Sequence, residues 1–327
     1  MKYIDGNQVA ALLDMKSCIA LMRETLIEKA QGRAQQVLRV AMPLAEGKVL
    51  GVMPAAVLAK NVAGAKVITV FPDNFSKGLP SHQGVVLVFE TLTGKLKAVV
   101  DGESVTAIRT AAVSAVATDL LAHRDSRILA LIGSGLQARK HLEALLLVRN
   151  ICAVYVWDID YGSAERYAAE MSAKYGIPVN VCASSGEAAQ NADVICTVTA
   201  AGEPVLYGAD IKPGAHINAV GACRSDMREL DTAAVQAARL YADSIESLLN
   251  EAGDFLIPFN SGAVTKEIIA GELGDALLGK IGGRQDSNEI TIFESLGLAV
   301  YDLAAADYVI NGAGVSFLHK SVGNPTL

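Results

Sequence analysis

The chain has 327 residues, of which 51% are hydrophobic, and a formal net charge of -7. This length predicts two domains, or one large domain with an insertion, and the composition allows a large core. The chain has no basic run, so we expect no nucleic-acid partner, and the lack of long charged runs argues against disorder. No stretch of 18 uninterrupted apolar residues is present, so we expect no membrane partner.

The N-terminus and the cysteines indicate a cytoplasmic protein. Residues 1–5 lack the basic and apolar regions of a signal peptide. The cysteines form no CxxC pair and are odd in number: Cys18, Cys152, Cys182, Cys196 and Cys223. Reduced thiols are the simplest account, and we expect no metal site.

The first part of the chain predicts helices, then strands, then a helix. Apolar residues at helical spacing over 8–32 predict one or two helices that end at Gly32. An Ala-rich helix is expected at Ser104–Leu121. The predicted strands are Val37–Pro43, Val49–Met53, Gly64–Val70, Gly84–Glu90 and Lys95–Val100, and the last two are expected to form a hairpin across residues 91–94.

From residue 127 onward, strands and helices alternate, which predicts a parallel sheet with helices on both faces. A late amphipathic helix is expected at Ile292–Ala306 and should pack on the first domain. The other predicted elements are strands 128–132, 153–157, 178–182, 193–198 and 216–220, and helices 137–148, 163–175 and 185–191.

A glycine turn follows strand 128–132 and opens a helix. It reads Gly133-Ser134-Gly135, with Ala138 as a third small residue, and Asp158 ends the next strand. This layout is typical of a dinucleotide site, because the backbone and helix N-terminus receive the pyrophosphate and the acid accepts from a ribose hydroxyl. Asp158 would repel a 2′-phosphate, so NAD(H) is favoured and NADP(H) is possible. The alternative is a plain tight turn.

These patterns predict an α/β protein with two domains. A Rossmann domain with a doubly wound parallel sheet is expected at 121–299. An α+β substrate-binding domain, discontinuous in sequence, is expected at 1–120 and 300–327.

Three cations interrupt apolar segments of the first domain: Arg39, Lys66 and Arg109. A charge inside an apolar strand or helix is costly unless it is paired or functional. The alternative is that each side chain snorkels to the surface. Three cases in one domain favour a clamp for a carboxylate, and therefore a small anionic substrate.

An ordered set of motifs resembles the ornithine cyclodeaminase/mu-crystallin family over nearly the whole chain. The motifs are Ala65-Lys66-Val67, Gly78-Leu79-Pro80-Ser81-His82-Gln83, Asp101-Gly102 with Arg109-Thr110-Ala111-Ala112, the turn at 133–138, Arg228-Glu229-Leu230-Asp231 and Ser295-Leu296-Gly297-Leu298-Ala299. The resemblance implies a homodimer formed through domain 1. It also implies that the three cations hold the substrate carboxylate.

Two departures narrow the activity that the resemblance implies. Cyclodeaminases of the family carry a glutamate where this chain has Met53. They also carry an aspartate where Cys223 follows Gly221-Ala222, and here the acid Asp226 comes later. Without both acids, deamination lacks its base. The pattern is similar to the ketimine-reductase branch instead.

The candidate site residues follow from these motifs. Lys66, Ser81, His82 and Asp226 are the catalytic candidates, although His82 could only cap a strand and Asp226 could only pair with Arg224 or Arg228. Burial and Arg109 should lower the pKa of Lys66. The substrate-binding candidates are Arg39, Met53, Lys66, Arg109 and Gly297. The cofactor-binding candidates are Arg109, Thr110, Gly133, Ser134, Gly135, Leu136, Gln137, Asp158, Ile159, Thr197, Val198, Thr199, Val220, Cys223 and Leu296.

The leading hypothesis is reduction of a small 2-imino acid by hydride transfer from NAD(P)H, with 1-pyrroline-2-carboxylate to L-proline as the favoured case. One alternative is an ornithine cyclodeaminase or an alanine-type amino-acid dehydrogenase. Another, from a different class, is a nucleotide-dependent protein that binds a small ligand without turnover.

Overall fold

A computed structural model describes residues 2–320. The chain divides into two compact units: unit 1 is Met1–Arg109 with the chain from Leu298 onward, and unit 2 is Thr110–Gly297. The expected boundaries were 120/121 and 299/300. The first observed boundary therefore lies inside the Ala-rich helix, and the second lies just before the last helix.

Unit 1 contains a seven-stranded sheet in the order β1-β7-β6-β5-β4-β2, with β3 paired to β4. The strand β1 runs parallel to β7, and the other pairs are antiparallel. The strands are β1 (Lys2–Ile4), β2 (Ala34–Gln36), β3 (Val40–Ala45), β4 (Lys48–Val57), β5 (Val62–Val70), β6 (His82–Glu90) and β7 (Leu96–Asp101). The helices are α1 (Gly6–Leu12), α2 (Met15–Ala30), the start of α3 (Gly102–Leu121), and α11 (Ala299–Lys320).

The sheet of unit 1 is covered on one face. Along β4, alternate residues from Gly51 to Val57 are buried and those between them are half-buried. This period of two is what a sheet with a single packed face produces. Helices α2 and α11 pack together, and α11 lies on β4, β5 and β6. The hairpin of β6 and β7 is confirmed.

Unit 2 contains an eight-stranded sheet in the order β10-β9-β8-β11-β12-β15-β13-β14, parallel throughout. Its strands are β8 (Ile128–Ile132), β9 (Ala153–Trp157), β10 (Val179–Val181), β11 (Val194–Thr197), β12 (His216–Ala219), β13 (Ala238–Ala242), β14 (Ile269–Glu272) and β15 (Ile290–Glu294). Its helices are α4 (Leu136–Leu145), α5 (Tyr161–Tyr175), α6 (Ser185–Ala189), α7 (Thr232–Gln236), α8 (Ile245–Glu251), α9 (Gly253–Asn260) and α10 (Leu273–Leu277), with part of α3.

The strand order reverses between β8 and β11. From β8 the chain moves outward through β9 and β10, then returns to the other side of β8 for β11 and β12. In a doubly wound sheet, ligands bind at the carboxyl ends of the strands beside such a reversal. The turns after β8 and β11 therefore flank the expected binding crevice. The α/β class with a parallel Rossmann-type sheet is confirmed.

The start of the predicted helix at Ile292–Ala306 is wrong, whereas Ala299–Ala306 lies in α11, which packs on unit 1 as predicted. Ile290–Glu294 forms β15, which lies inside the parallel sheet, and helix α11 begins only at Ala299. The β-branched run from Ile290 to Ile292 favours a strand. Gly297 has a φ of 79°, a conformation that fits neither a strand nor a helix and therefore separates β15 from α11. The predicted elements of this half also did not include β13 and β14.

One helix, Gly102–Leu121, is long and apolar enough to cross a membrane by composition alone, but 78% of its most apolar window is buried inside the protein. Such burial is typical of a core helix. The five cysteines are free thiols.

Candidate functional site

Two buried cations and one buried carboxylate form an ion cluster in unit 1. The Nζ of Lys66 lies 3.3 Å from Oδ1 of Asp302, and Nε of Arg109 donates to the same oxygen at 3.0 Å. Lys66 and Arg109 are only 3% and 4% exposed, and Asp302 is fully buried. Lys66 also donates to Oγ1 of Thr106 at 2.6 Å. We call Lys66, Arg109 and Asp302 the ion cluster.

Small residues bring the elements of the ion cluster together. A Cβ on Gly102, at the start of α3, would stand 2.9 Å from the backbone of Gly84 on β6. Only glycine permits this approach, and it lays the first turns of α3 on the sheet. Thr106 and Arg109 follow Gly102 at helical spacing, so both reach Lys66 in the middle of β5 or its partner Asp302.

Burial and neighbouring charges set the protonation of the ion cluster. Burial lowers the pKa of Lys66 to about 8, while Asp302 opposes this shift and Arg109 adds to it. The predicted direction is therefore confirmed. Burial alone would raise the pKa of Asp302, but the charges of Arg109 and Lys66 outweigh burial and hold it below its usual value. Asp302 thus stays ionised, and its Oδ2 has no hydrogen-bond partner within residues 2–320.

Asp302 was missed by the sequence analysis, although a signal was present. It is a single acid in the apolar run from Ala299 to Ala306. That pattern mirrors Lys66 in β5, and the reasoning that singled out the cation applies equally to the acid.

The other predicted substrate-binding and catalytic residues of unit 1 lie around Lys66. Met53 is buried and is the register partner of Lys66 on β4. Arg39 is half-buried, and its charge helps to lower the pKa of Lys66. The Oγ of Ser81 lies 3.0 Å from Nδ1 of His82. Burial and then the charge of Lys66 lower the pKa of His82, so this histidine is neutral at pH 7.

The glycine turn of unit 2 is anchored to the end of the next strand. Oδ2 of Asp158 accepts from the backbone N of Ser134 at 2.8 Å and from its Oγ at 2.7 Å. Gly133 has a φ of 105°, and a Cβ there would meet the carbonyl oxygen of Val198 at 3.0 Å. The turn therefore needs glycine at its first position and packs directly against the end of β11.

The residues of this turn fit the pyrophosphate of a dinucleotide. A Cβ on Gly135 would have no protein atom within 4 Å, so open space lies in front of this residue. Helix α4 starts there without a side-chain cap, which leaves its first amides for an anion. The buried Ala138 lets the helix pack closely, and Ile159 beyond Asp158 is 92% exposed.

Replacing Asp158 by alanine should weaken NADH binding about tenfold, because the turn loses two hydrogen bonds and the ribose loses an acceptor. The preference for NADH over NADPH should narrow as well. Fluorescence titration with both cofactors measures this. Asp160→Ala is the matched control, since Asp160 is exposed and pairs with Arg166. Unchanged NADH affinity in Asp158→Ala would contradict the assignment.

A buried glutamate ties together the ends of β11 and β12. Oε1 of Glu229 accepts from the backbone N and the Oγ1 of Thr199, both at 2.6 Å. Its Oε2 accepts from the backbone N of Gly221 at 2.7 Å. Glu229 belongs to the family motif at 228–231, but no role was predicted for it. The predicted residues Thr197, Val198, Val220 and Cys223 lie on the two segments that it joins.

The other predicted binding residues of unit 2 differ in how deeply they are buried. Thr110 and Leu296 are buried, and Gly297 donates its backbone N–H to Asp243 at 2.9 Å. Gln137 is half-buried and Leu136 is exposed in the first turn of α4.

Asp226 does not have the surroundings that a catalytic acid requires. Its carboxylate pairs with Arg224 through two hydrogen bonds of 3.0 and 2.6 Å, and both side chains are exposed. The hydrogen bonds from Arg224 lower the pKa of Asp226. An exposed acid held ionised in this way is a poor proton donor, and the pairing with Arg224 is the alternative that the sequence left open.

No group of three or more His, Cys, Asp or Glu side chains that could hold a metal ion is found within residues 2–320.

Comparisons with known proteins agree with this geometry. A sequence model described as the ornithine cyclodeaminase/mu-crystallin family matches residues 4–314. The chain is 43% identical over 279 residues to a ketimine reductase mu-crystallin of Mus musculus, and the match covers 85% of each chain.

Two solved structures are similar over the full length of this chain. One is a Thermococcus litoralis Delta(1)-pyrroline-2-carboxylate reductase in complex with NADH and L-proline, with a TM-score of 0.94, 36% identity and 100% coverage of both chains. The other is an archaeal alanine dehydrogenase dimer with bound NAD, with a TM-score of 0.91, 30% identity and coverage of 100% and 99%.

Proposed function

Because the chain belongs to the ornithine cyclodeaminase/mu-crystallin family, we propose that it reduces a small cyclic 2-imino acid with NADH. The favoured reaction is 1-pyrroline-2-carboxylate to L-proline. The similarity to a ketimine reductase supports this proposal, and so does the similarity to a pyrroline-2-carboxylate reductase whose structure contains NADH and L-proline. The single observation that carries it is the ion cluster of Lys66, Arg109 and Asp302.

The ion cluster is suited to a substrate with one carboxylate. Asp302 engages Arg109 through Nε, and it is the only hydrogen-bond partner of Arg109 within residues 2–320. Both terminal Nη groups thus remain for a bidentate carboxylate. The cluster holds two cations and one anion, so it keeps one positive charge for an anionic ligand.

Lys66 has the properties needed to keep an imine nitrogen protonated. With a pKa of about 8, its ammonium can share a proton with a basic nitrogen near neutral pH. Protonation of the C=N bond makes its carbon a better hydride acceptor. The thioether of Met53 beside Lys66 offers neither charge nor base. The site therefore orients and activates an imine, and Met53 beside Lys66 supplies no carboxylate for removing ammonia.

NADH, when bound, supplies the hydride. Ser134 and Gly135, the uncapped first turn of α4 and Asp158 would hold it, as their fit to a dinucleotide indicates.

The proposal is tested by incubating the purified protein with NADH and a panel of substrates. The panel contains 1-pyrroline-2-carboxylate, its six-membered homologue and 2-oxo acids with ammonia or methylamine. We expect NADH oxidation fastest with a cyclic imine, and the product amino acid by NMR. Ammonia release from ornithine with catalytic NAD would select a cyclodeaminase. Tight ligand binding without turnover would select a binding protein.

We also propose that the chain forms a homodimer through the open face of the unit 1 sheet. On β3, the alternate residues Val40, Met42 and Leu44 are 61%, 50% and 48% exposed. Val40 and Met42 continue the half-buried face of β4 at their register partners, Val52 and Leu50. A broad apolar sheet face of this kind is typical of a protein interface. The dimeric relative with bound NAD supports the proposal, and the free cysteines support a cytoplasmic location.

Met42→Lys should convert the dimer to a monomer, because a charge would be buried at the interface. Light scattering after gel filtration measures the mass. Leu92→Lys is the matched control, since Leu92 is 77% exposed in the turn between β6 and β7. A monomeric parent protein, or a Met42→Lys variant of unchanged mass, would overturn this proposal.

A further inference from the structure

Four buried carboxyl groups lie near the carboxyl ends of the strands in unit 2. Glu229, Asp243, Asp254 and Glu294 are each at most 1% exposed. Glu294 is the last residue of β15, Asp243 directly follows β13, and Glu229 lies in the segment after β12. This is the side of the sheet on which a dinucleotide binds. The proposed imine reduction uses none of these four groups.

Glu229 and Asp254 form a two-step connection. Oδ1 of Asp254 accepts from the backbone N of Glu229 at 2.8 Å and of Leu230 at 2.7 Å. The side chain of Glu229 then accepts from Thr199 and Gly221. Asp254 thus fixes the backbone of Glu229, and Glu229 fixes the segments after β11 and β12.

Glycines make this connection rigid. A Cβ on Gly221 would stand 2.6 Å from the carboxyl of Glu229, and one on Gly253 would stand 1.8 Å from the carbonyl oxygen of Met227. The segment after β11 in turn packs on the dinucleotide turn, because Gly133 approaches Val198 and Thr199. Direct contacts therefore connect Glu229 to the glycine turn through the segment after β11, so a shift of Glu229 would also shift the turn.

We propose that Glu229 is a positioning residue for the cofactor, that Asp254 holds it in place, and that the pair works with a single negative charge. Burial raises the pKa of Glu229, but its two oxygens receive three hydrogen bonds that favour the ionised form, so the charge belongs on this residue. Asp254 and Glu294 each have one buried oxygen without a hydrogen-bond partner within residues 2–320. An ionised form of either would lack compensation, which favours the neutral acid.

The surroundings of Asp254 predict how this arrangement responds to pH. Glu229, Glu294 and Arg228 are the ionisable groups that act on it most directly, with Asp243 acting on Glu294. Burial and then the charge of Glu229 raise the pKa of Asp254 to about 8. Above this pH a second charge develops beside Glu229, and the two carboxylates repel each other. The grip on Thr199 and Gly221 should then loosen.

The inference rests on the proposed use of NADH, but its test needs no imine substrate. Fluorescence titration of NADH should give about a tenfold higher Kd for Glu229→Gln than for wild type at pH 7, because the amide nitrogen cannot accept a hydrogen bond. In the protein without cofactor, hydrogen exchange over residues 197–203 and 219–223 should be faster.

Asp193→Asn is the matched control for this variant. Asp193 also accepts from two backbone amides, those of Arg127 and Ile128, but at the opposite ends of β8 and β11. It should lower thermal stability without changing the Kd for NADH. Equal weakening by both variants, or unchanged binding and exchange in Glu229→Gln, would overturn the positioning role.

Asp254→Asn tests the charge. The wild-type Kd for NADH should rise about tenfold from pH 6.5 to 9, and the ratio of the two values should be close to one in the variant, whatever its absolute affinity. A variant that keeps the wild-type ratio would overturn the single-charge arrangement. Failure of imine reduction with NADH binding intact would count against the proposed reaction alone.

Discussion

Lys66→Met should lower kcat/KM for the cyclic imine roughly 10³-fold while the protein stays folded. The variant loses both a cation for the carboxylate and the group that shares a proton with the imine nitrogen. Asp302 keeps its bond to Arg109, so no unpaired charge remains and stability should change little. Steady-state kinetics with 1-pyrroline-2-carboxylate and NADH measure the effect, and NADH binding should be unaffected.

Lys97→Met is the matched control for Lys66→Met. Lys97 lies on β7 in the same unit and pairs with Asp307 of α11 at 2.8 Å, but its side chain is 30% exposed. Its replacement should leave kcat/KM within about twofold, since Lys97 lies outside the ion cluster. A Lys66→Met enzyme with near-normal kcat/KM would remove the ion cluster from the mechanism.

The pH dependence of the KM of the wild-type enzyme also tests the role of Lys66. As pH rises through about 8, Lys66 loses its proton and its charge, so the KM for the anionic imine should increase. The increase should be absent in Lys66→Met. A KM that stays constant from pH 7 to 9.5 in the wild type would contradict the assigned role of this lysine.

Asp302→Asn should destabilise the protein by about 3–5 kcal/mol at pH 7, the largest stability effect that we expect from a single substitution here. The amide cannot balance Lys66 and Arg109, and two cations then lie together in a dry environment. Urea unfolding measures the loss, and enzyme activity should fall with it.

The control for this variant lies on the same helix. Asp307→Asn removes the partner of Lys97 and should cost clearly less than Asp302→Asn, because the lysine left without its partner is 30% exposed and water can solvate it. The pKa of Asp302 is lower in the folded protein than its value of 3.8 in the unfolded chain. The ionised carboxylate therefore contributes fully to the free energy of unfolding above pH 3.8, and this contribution is lost as the pH falls through the pKa of the folded protein. The difference between wild type and Asp302→Asn should shrink below about pH 4. A stability loss equal to that of Asp307→Asn would contradict the buried ion cluster.

Local sequence patterns predicted the elements that show a regular run of apolar residues, and the site residues whose type is unusual for their surroundings. The strands β8 and β9 were predicted at their observed bounds, because buried parallel strands are short apolar runs between turn signals. The glycine turn and Asp158 were recognised because the fold requires glycine at φ 105° and an acid at the next strand end. Lys66 and Arg109 stood out as charges in apolar surroundings.

Other features depend on contacts between distant segments and could not be read locally. The run from Ile290 to Glu294 is compatible with either helix or strand, and its place between β12 and β13 decides for a strand. Asp302 is far from Lys66 in sequence, and only the packing of α11 on β5 shows that they pair. Glu229 acquires its role from amides of two other segments.

The most direct test of the proposed reaction follows the hydride itself. The enzyme is given NADH that carries deuterium at the transferable position, together with 1-pyrroline-2-carboxylate, and the proline formed is analysed by NMR and mass spectrometry. We predict one deuterium at C2 and none elsewhere. Proline without deuterium at C2, or no proline while NADH binds normally, would contradict the assignment of this chain as an NADH-dependent imine reductase.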